Sequence, residues 1–237
     1  MNSPSHSLKT VFPDRRHAIL PVIHAEGEVQ ALRNTSIALQ AGTDGVFLIN
    51  HSISEEYLLR IACKVRREFP SAWIGVNCLG LLPAEVFGLV DETINGIWVD
   101  NALVDEESEA QVEAEKVLRA RERSGWRGLY FGGVAFKYQR PVDDLESAAR
   151  IAARYMDVIT TSGPGTGRAA LPEKIARMKR ALGDHPLAIA SGITPENVLD
   201  YLPDADAFLV ATGIGASFTE LAPARVAALV RAVRTFR

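Results

Sequence analysis

Eight short apolar runs recur along the chain: Ala18–His24, Gly45–Asn50, Trp73–Asn77, Gly96–Asp100, Gly128–Gly132, Asp157–Thr161, Leu187–Ala190 and Ala207–Ala211. They are continuous rather than alternating, as strands covered on both faces are. Between them lie segments with helical periodicity. Leu58, Leu59, Ala62 and Val65 form one stripe, and Leu145, Ala148, Ala149, Ile151 and Ala152 another. Val226, Leu229, Val230 and Val233 form the stripe of a last helix. Ser54 with Glu56 opens one helix, Pro172 and Pro195 fit first-turn positions, and Gly42, Gly125 and Gly183 close helices ahead of the next run. Eight strand–helix units at spacings of about 20–35 residues predict a closed (β/α)8 TIM barrel. The alternative, an open doubly wound sheet, would use only about five to seven strands. No linker divides the chain, so a single barrel domain is expected over 17–237, behind an N-terminal extension over 1–16.

Composition narrows the class. A chain of 237 residues is long enough for one large domain with a full core. Lys and Arg number 26 against 29 Asp and Glu, with no basic run, which speaks against a nucleic-acid-binding face. Cys63 and Cys78 make neither a CxxC pair nor a metal spacing, so a reducing compartment is expected. The polar start, Met1 to Arg16, carries no secretory apolar region, and no stretch is long and apolar enough for membrane insertion. These features place the protein in the cytoplasm. The sequence leaves self-association into a homo-oligomer open.

In a barrel of this kind the loops after the strands carry the chemistry. The run ends are polar there: His24, Asn50 and His51, Asn77, Asp100 and Asn101, Thr160–Ser162, Ser191 and Thr212. The loops before the strands hold ordinary turn residues, such as Gly42-Thr43-Asp44. After the last two runs come Ser191-Gly192-Ile193-Thr194 and Thr212-Gly213-Ile214-Gly215. Ser191, Gly192, Thr212, Gly213 and Gly215 there form a candidate phosphate site, with a short helix expected near Ala216 to aim its positive end at the anion. The alternative is that these glycines only permit tight turns. Thr160–Arg168 contains three glycines, four hydroxyls and an arginine, suited to a loop that closes over a ligand. Thr161, Ser162, Gly163 and Arg168 are its candidate substrate-binding residues. The loop lacks the terminal lysine of a P-loop and opens no Rossmann unit, so no nucleotide motif or cofactor is indicated.

Asp100 and His24 are candidates for general acid/base work, Asp100 the better placed because a carboxylate in a barrel mouth is costly to desolvate without a role. His24 could equally be a structural hydrogen-bonder. Asn50 and Asn77 would orient ligand hydroxyls or cap neighbouring loops. Lys137, five residues beyond the fifth run, could hold an anion or form a Schiff base, with anion binding favoured by its loop position. His24, Glu26 and Asp100 could gather a divalent ion, but no histidine has metal-ligand spacing, so no metal is expected. The acidic run Glu106-Glu107-Ser108-Glu109, with Glu113 and Glu115, reads as a solvated helix start.

The run Thr160–Gly167, then Ala190-Ser191-Gly192-Ile193-Thr194-Pro195-Glu196-Asn197-Val198 and Ala205-Asp206-Ala207-Phe208-Leu209-Val210, resembles the BtpA family, as do Ile74-Gly75-Val76-Asn77 and the acidic strand end at Asp100. The resemblance implies a phosphate-site-type TIM barrel and leaves the reaction open. An enzyme acting on a small phosphorylated metabolite, a sugar phosphate or phosphoribosyl compound, is therefore the leading expectation, with isomerase, lyase and phosphoribosyl transfer all open. The other expectation is a non-catalytic assembly or regulatory factor using the barrel as a scaffold.

Overall fold

The computed structural model describes residues 7–236. Strands β1 (Ala18–Ala25), β2 (Val46–Asn50), β3 (Ile74–Asn77), β4 (Gly96–Val99), β5 (Leu129–Gly133), β6 (Val158–Thr161), β7 (Leu187–Ala190) and β8 (Ala207–Val210) pair in parallel, each with the next. Ala18 stands opposite Ala207 and Pro21 opposite Val210, and this last pairing closes the barrel. Every strand falls within one residue of its expected bounds. Runs that are buried on both faces have little freedom to slip, because a shift would carry apolar side chains out of both packing layers.

Helices α1 (Leu8–Val11), α2 (Glu28–Gln40), α3 (Glu55–Glu68), α4 (Pro83–Val86), α5 (Val112–Ser124), α6 (Leu145–Ala152), α7 (Pro172–Leu182) and α8 (Pro223–Arg234) complete the chain. The Ser54 side chain caps α3 by accepting the Tyr57 N–H, and Pro172 opens α7. Two of the eight units depart from a full strand–helix pattern. After β7, Pro195 opens no α-helix; only a 3-10 turn, Val198–Asp200, follows. After β3 the helix is a single turn. The acidic run also differs from expectation: Glu113 and Glu115 lie in the first turn of α5, whereas Glu106 precedes it with its carboxylate buried against Arg140.

Two apolar layers build the body. The larger lies between strands and outer helices and takes in Val226, Leu229 and Val233, which face the barrel. The smaller fills the barrel, where Phe47, Trp73, Trp98 and Phe131 pack edge to face with ring centroids 5.1 to 6.0 Å apart. The N-terminal extension contributes here. Leu8 and Phe12 join the interior cluster, with the Phe12 ring 5.8 Å from that of Trp73, so α1 plugs the end of the barrel away from the rim loops.

That closed end carries a two-unit repeat. A residue one or two places ahead of every even strand accepts the N–H of an early residue in the strand before it: Asp44 from Ile19, Asn95 from Ile74, Asp157 from Tyr130 and Asp206 from Leu187. Each acceptor also meets a cation, namely Arg234 and Arg15, Arg66, Arg121 and Lys179 in turn. Strand starts are thereby pinned to the helices, leaving the opposite rim free for chemistry. Among the described residues no helix is long and apolar enough to cross a membrane.

Candidate functional site

Backbone strain marks the rim. Among the described residues four non-glycine residues adopt positive φ: Leu103 after β4, Ala135 and Tyr138 after β5, and Ser191 after β7. Such conformations cost on the order of 1–3 kcal/mol each and cluster at functional sites. The loops they shape surround a cavity of about 310 Å³ at the centre of the barrel mouth. His24, His51, Asp100, Lys137, Ser191 and Thr212 all line it, over a floor that includes Trp98. Residues from five different loops thus converge, and five of the expected candidates, His24, Asp100, Lys137, Ser191 and Thr212, meet there.

Asp100 directly follows β4, and Asn77 at the end of β3 donates to its Oδ1 at 3.0 Å. Burial pushes the Asp100 carboxyl above the usual carboxylate range, while the Asn77 hydrogen bond and the charges of Lys137 and His51 oppose the rise. Asn77 therefore serves Asp100. Asn50 is spent elsewhere: its Oδ1 accepts the Leu79 N–H, and its amide donates to the Ile53 carbonyl and to Glu55 Oε1. It staples the loops after β2 and β3, the capping alternative rather than a ligand contact.

His24 is buried, with Nδ1 unpartnered among the described residues. Burial first, then the neighbouring His51 and Lys137, push it down to about 4, so the ring is neutral near pH 7. Its ring packs 4.0 Å from Phe218 and 4.8 Å from His51, centroid to centroid. His51 is likewise lowered by burial, against the pull of Asp100. Lys137 Nζ meets no carboxylate among the described residues and lies 5.1 Å from the Phe136 ring centroid. Its backbone is fixed by Ser162, whose Oγ accepts the Lys137 N–H at 2.8 Å. His24, Glu26 and Asp100 form no metal cluster; among the described residues no group of three or more His, Cys, Asp or Glu does.

The loop after β6 folds in over the cavity. Thr166, which lines it, donates its N–H to the Tyr138 hydroxyl, and the Gly167 N–H donates to Ser191 Oγ. Thr161, Ser162 and Gly163 are buried at its root. The Thr161 hydroxyl donates to the Ala135 carbonyl, and Gly163 packs under the backbone of Arg168 and Ala169. None of these three lines the central cavity, and neither does Arg168.

The glycines after β7 and β8 also serve packing. A side chain on Gly192 (φ +75°) would overlap the Arg168–Ala169 backbone, and one on Gly213 would overlap the Ile193 carbonyl. Gly215 lies against the Ser217 carbonyl. Gly192, Gly213 and Gly215 thus let three rim loops interlock and stand outside the cavity lining, whereas Ser191 and Thr212 are in it. No helix starts near Ala216. A 3-10 turn occupies Thr212–Ile214, and Gly215 bridges antiparallel to Leu221, which carries Phe218 over the histidines.

Tyr138, Thr166 and Phe218 join the site without having been singled out from sequence. His51, read from sequence as a polar strand end but given no role, also lines it. Phe218 gave no signal, being a lone aromatic in a polar loop.

The fold has many known counterparts. Tryptophan synthase subunit alpha from Legionella pneumophila str. Paris superposes with a TM-score of 0.71 at 13% identity, covering 97% of each chain. Phosphoribosyl anthranilate isomerase from Thermus thermophilus gives 0.67 at 17%, covering 93% of this chain and 100% of that one. (S)-3-O-geranylgeranylglyceryl phosphate synthase from Thermoplasma acidophilum, in complex with its substrate sn-glycerol-1-phosphate, gives 0.65 at 16%, covering 97% of each. No family model matches the chain, and no curated protein matches it in sequence. At these identities the likeness establishes the TIM barrel, while chemistry must be argued from the site.

Proposed function

We propose that the protein is an enzyme that moves a proton on a small phosphorylated metabolite bound in the central cavity. The observation that carries this reading is the convergence of Asp100, Lys137 and two histidines on one cavity that Thr166 and Thr212 also line, with Ser191 tying the loop after β6 over it through Gly165 and Gly167. A volume of about 310 Å³ is at the low end of small-molecule sites, suited to a compact sugar phosphate or phosphoribosyl fragment. Lys137 and the hydroxyls of Thr166 and Thr212 would take the phosphate. Asp100, with its proton affinity raised by burial, would act as the general base or acid, and neutral His24 and His51 would exchange protons with ligand oxygens. Isomerase and lyase reactions both begin with such a transfer, and phosphoribosyl transfer can use the same base.

Two of the three barrels compared above are named for phosphoribosyl or glyceryl phosphate compounds, and the BtpA-like segments at 160–167 and 190–198 supply β6 and β7 loops of this site. Both support a phosphorylated ligand. The scaffold alternative draws no support from the last helix, whose Val226, Leu229 and Val233 are buried. A cytoplasmic setting fits the proposed substrates.

Matched thermal-shift measurements test the reading. Sugars and nucleosides are compared with their phosphates, for the protein itself and for Lys137→Met. Saturation at about 100 times the dissociation constant should add about 2.7 kcal/mol, which is several degrees in a domain of this size. Stabilisation by phosphorylated members alone, lost in Lys137→Met, supports the proposal; indifference to the phosphate refutes it. Asp100→Asn should then retain binding and lose turnover. Borohydride trapping at Lys137 with a carbonyl substrate would instead reassign that lysine to a Schiff base.

A further inference from the structure

A second cavity, of about 900 Å³, lies outside the barrel mouth between the loops after β5 and β6. It goes beyond the central site, and the inference drawn from it does not rest on the proposed reaction. Its walls are largely apolar, with Phe136, Val142, Leu145, Pro164 and Leu171. Its charge is unbalanced. Lys137, Arg140, Arg168, Lys174 and Arg177 line it against a single carboxylate, Asp143.

Two of these cations are already neutralised. Arg140 is paired with Glu106 and Asp105, and Arg177 binds both oxygens of Glu146 at 2.7 and 2.8 Å. Lys137, Arg168 and Lys174 meet no carboxylate among the described residues. Lys174 is the telling case. Its Nζ donates at 2.6 Å to the Ala135 carbonyl and at 2.7 Å to the Ser162 carbonyl, which ties the two loops together but supplies no counter-charge. Burial pushes this ammonium down to about 8. Holding a desolvated cation without an anion is costly, and an anion entering the cavity would relieve that cost. Arg168 is exposed, its guanidinium has no hydrogen-bonding partner among the described residues, and it is free to close on such a ligand.

We propose that this outer cavity is a second ligand site, binding an organic anion whose carboxylate or phosphate meets Arg168 and Lys174 and whose ring-sized apolar body lies against Phe136, Val142 and Leu171. The apolar walls exceed what an inorganic anion could use, and the surplus positive charge discriminates against a neutral ring.

The test is a titration of the isotope-labelled full chain with naphthoate and, separately, with naphthamide, which keeps the ring and removes the charge. Naphthoate should shift the backbone amide signals of Val142, Ala169 and Leu171 and bind about tenfold more tightly than naphthamide. Arg168→Gln should erase most of that difference. This variant decides the matter because Arg168 is exposed and supports no other group, whereas Lys174→Gln also unties two loops. Asp100→Asn, in the central cavity, should leave naphthoate binding unchanged, so a failed central site and a failed outer site give different results. Equal affinity for the two probes, shifts confined to Trp98 and Ala211, an unaltered Arg168→Gln, or no binding at millimolar probe would each overturn the proposal.

Discussion

Replacing His24 with glutamine should remove a specific part of the protein's acid sensitivity. In the folded chain this imidazole is pushed from 6.5 down to about 4 by burial and by the neighbouring His51 and Lys137. The unfolded chain therefore takes up a proton as pH falls through 6.5, and the folded chain does not until about 4. Stability from this group is complete above 6.5, declines between 6.5 and 4, and falls no further below that. Each pH unit in that window withdraws about 1.4 kcal/mol, so the full loss is about 3 kcal/mol. His24 is only 8% exposed, so solvent screening removes little of this. The assay is urea denaturation of the protein and of His24→Gln at pH 7.5 and pH 4.5. His17 and His185 are also lowered by burial, but their losses occur in both proteins and cancel in the difference, and the titration of His51, which sits against His24, is followed by NMR in both. Between those two pH values the natural chain should lose about 2.5 kcal/mol more than the variant. Equal losses, or a His24 ring that titrates near 6.5 by NMR, would refute the reasoning.

Other expectations follow from the same geometry. Asp44→Ala leaves Arg234 without its carboxylate and the Ile19 N–H without its acceptor, and should cost about 3–5 kcal/mol in urea denaturation; Arg15→Ala, removing a half-exposed partner, should cost under about 1 kcal/mol. Gly213→Ala places a methyl group into the Ile193 carbonyl and should cost about 2 kcal/mol or more, whereas Gly125→Ala, which meets nothing but must hold φ +69°, should cost about 1 kcal/mol. The Asp100 carboxyl should titrate above the usual carboxylate range in carbon-detected NMR, and Asn77→Ala, by removing the hydrogen bond that opposes the rise, should move it further up.

What could be read from sequence depended on how local the determining physics is. Continuous apolar runs such as Leu187–Ala190 specify a two-sided buried strand wherever they occur, so all eight strands were legible. The helix expected at Pro195 was not, because a proline suits a first turn equally well when only a 3-10 turn follows. In that unit Asn197 bridges Thr194 and Gly192 and closes the connection locally. Strand ends named the polar residues of the rim but not their partners. Asn50 and Asn77 occupy equivalent ends of neighbouring strands, yet one is consumed by Leu79, Ile53 and Glu55, and the other holds Asp100. Nothing within either tripeptide separates them, because the distinction lies in which loop crosses above.

The glycine-rich loops carry this lesson to the site itself. Gly192 and Gly213 look alike whether an anion or a backbone approaches them, since both uses need a missing side chain. Here the approaching groups are Ala169 and the Ile193 carbonyl, so the glycines determine how the β6, β7 and β8 loops interlock. That interlock puts Thr166 beside Ser191 and Thr212 at the cavity wall. Phosphate recognition at this rim would then fall to side-chain hydroxyls and the Lys137 ammonium more than to a glycine cradle. Such a site should depend strongly on Lys137 and be sensitive to Thr212→Val, which keeps the shape and removes the hydroxyl. If Thr212→Val left the phosphate-dependent thermal shift intact while Lys137→Met abolished it, the ammonium alone would carry recognition, and the hydroxyl wall would have to face another part of the ligand.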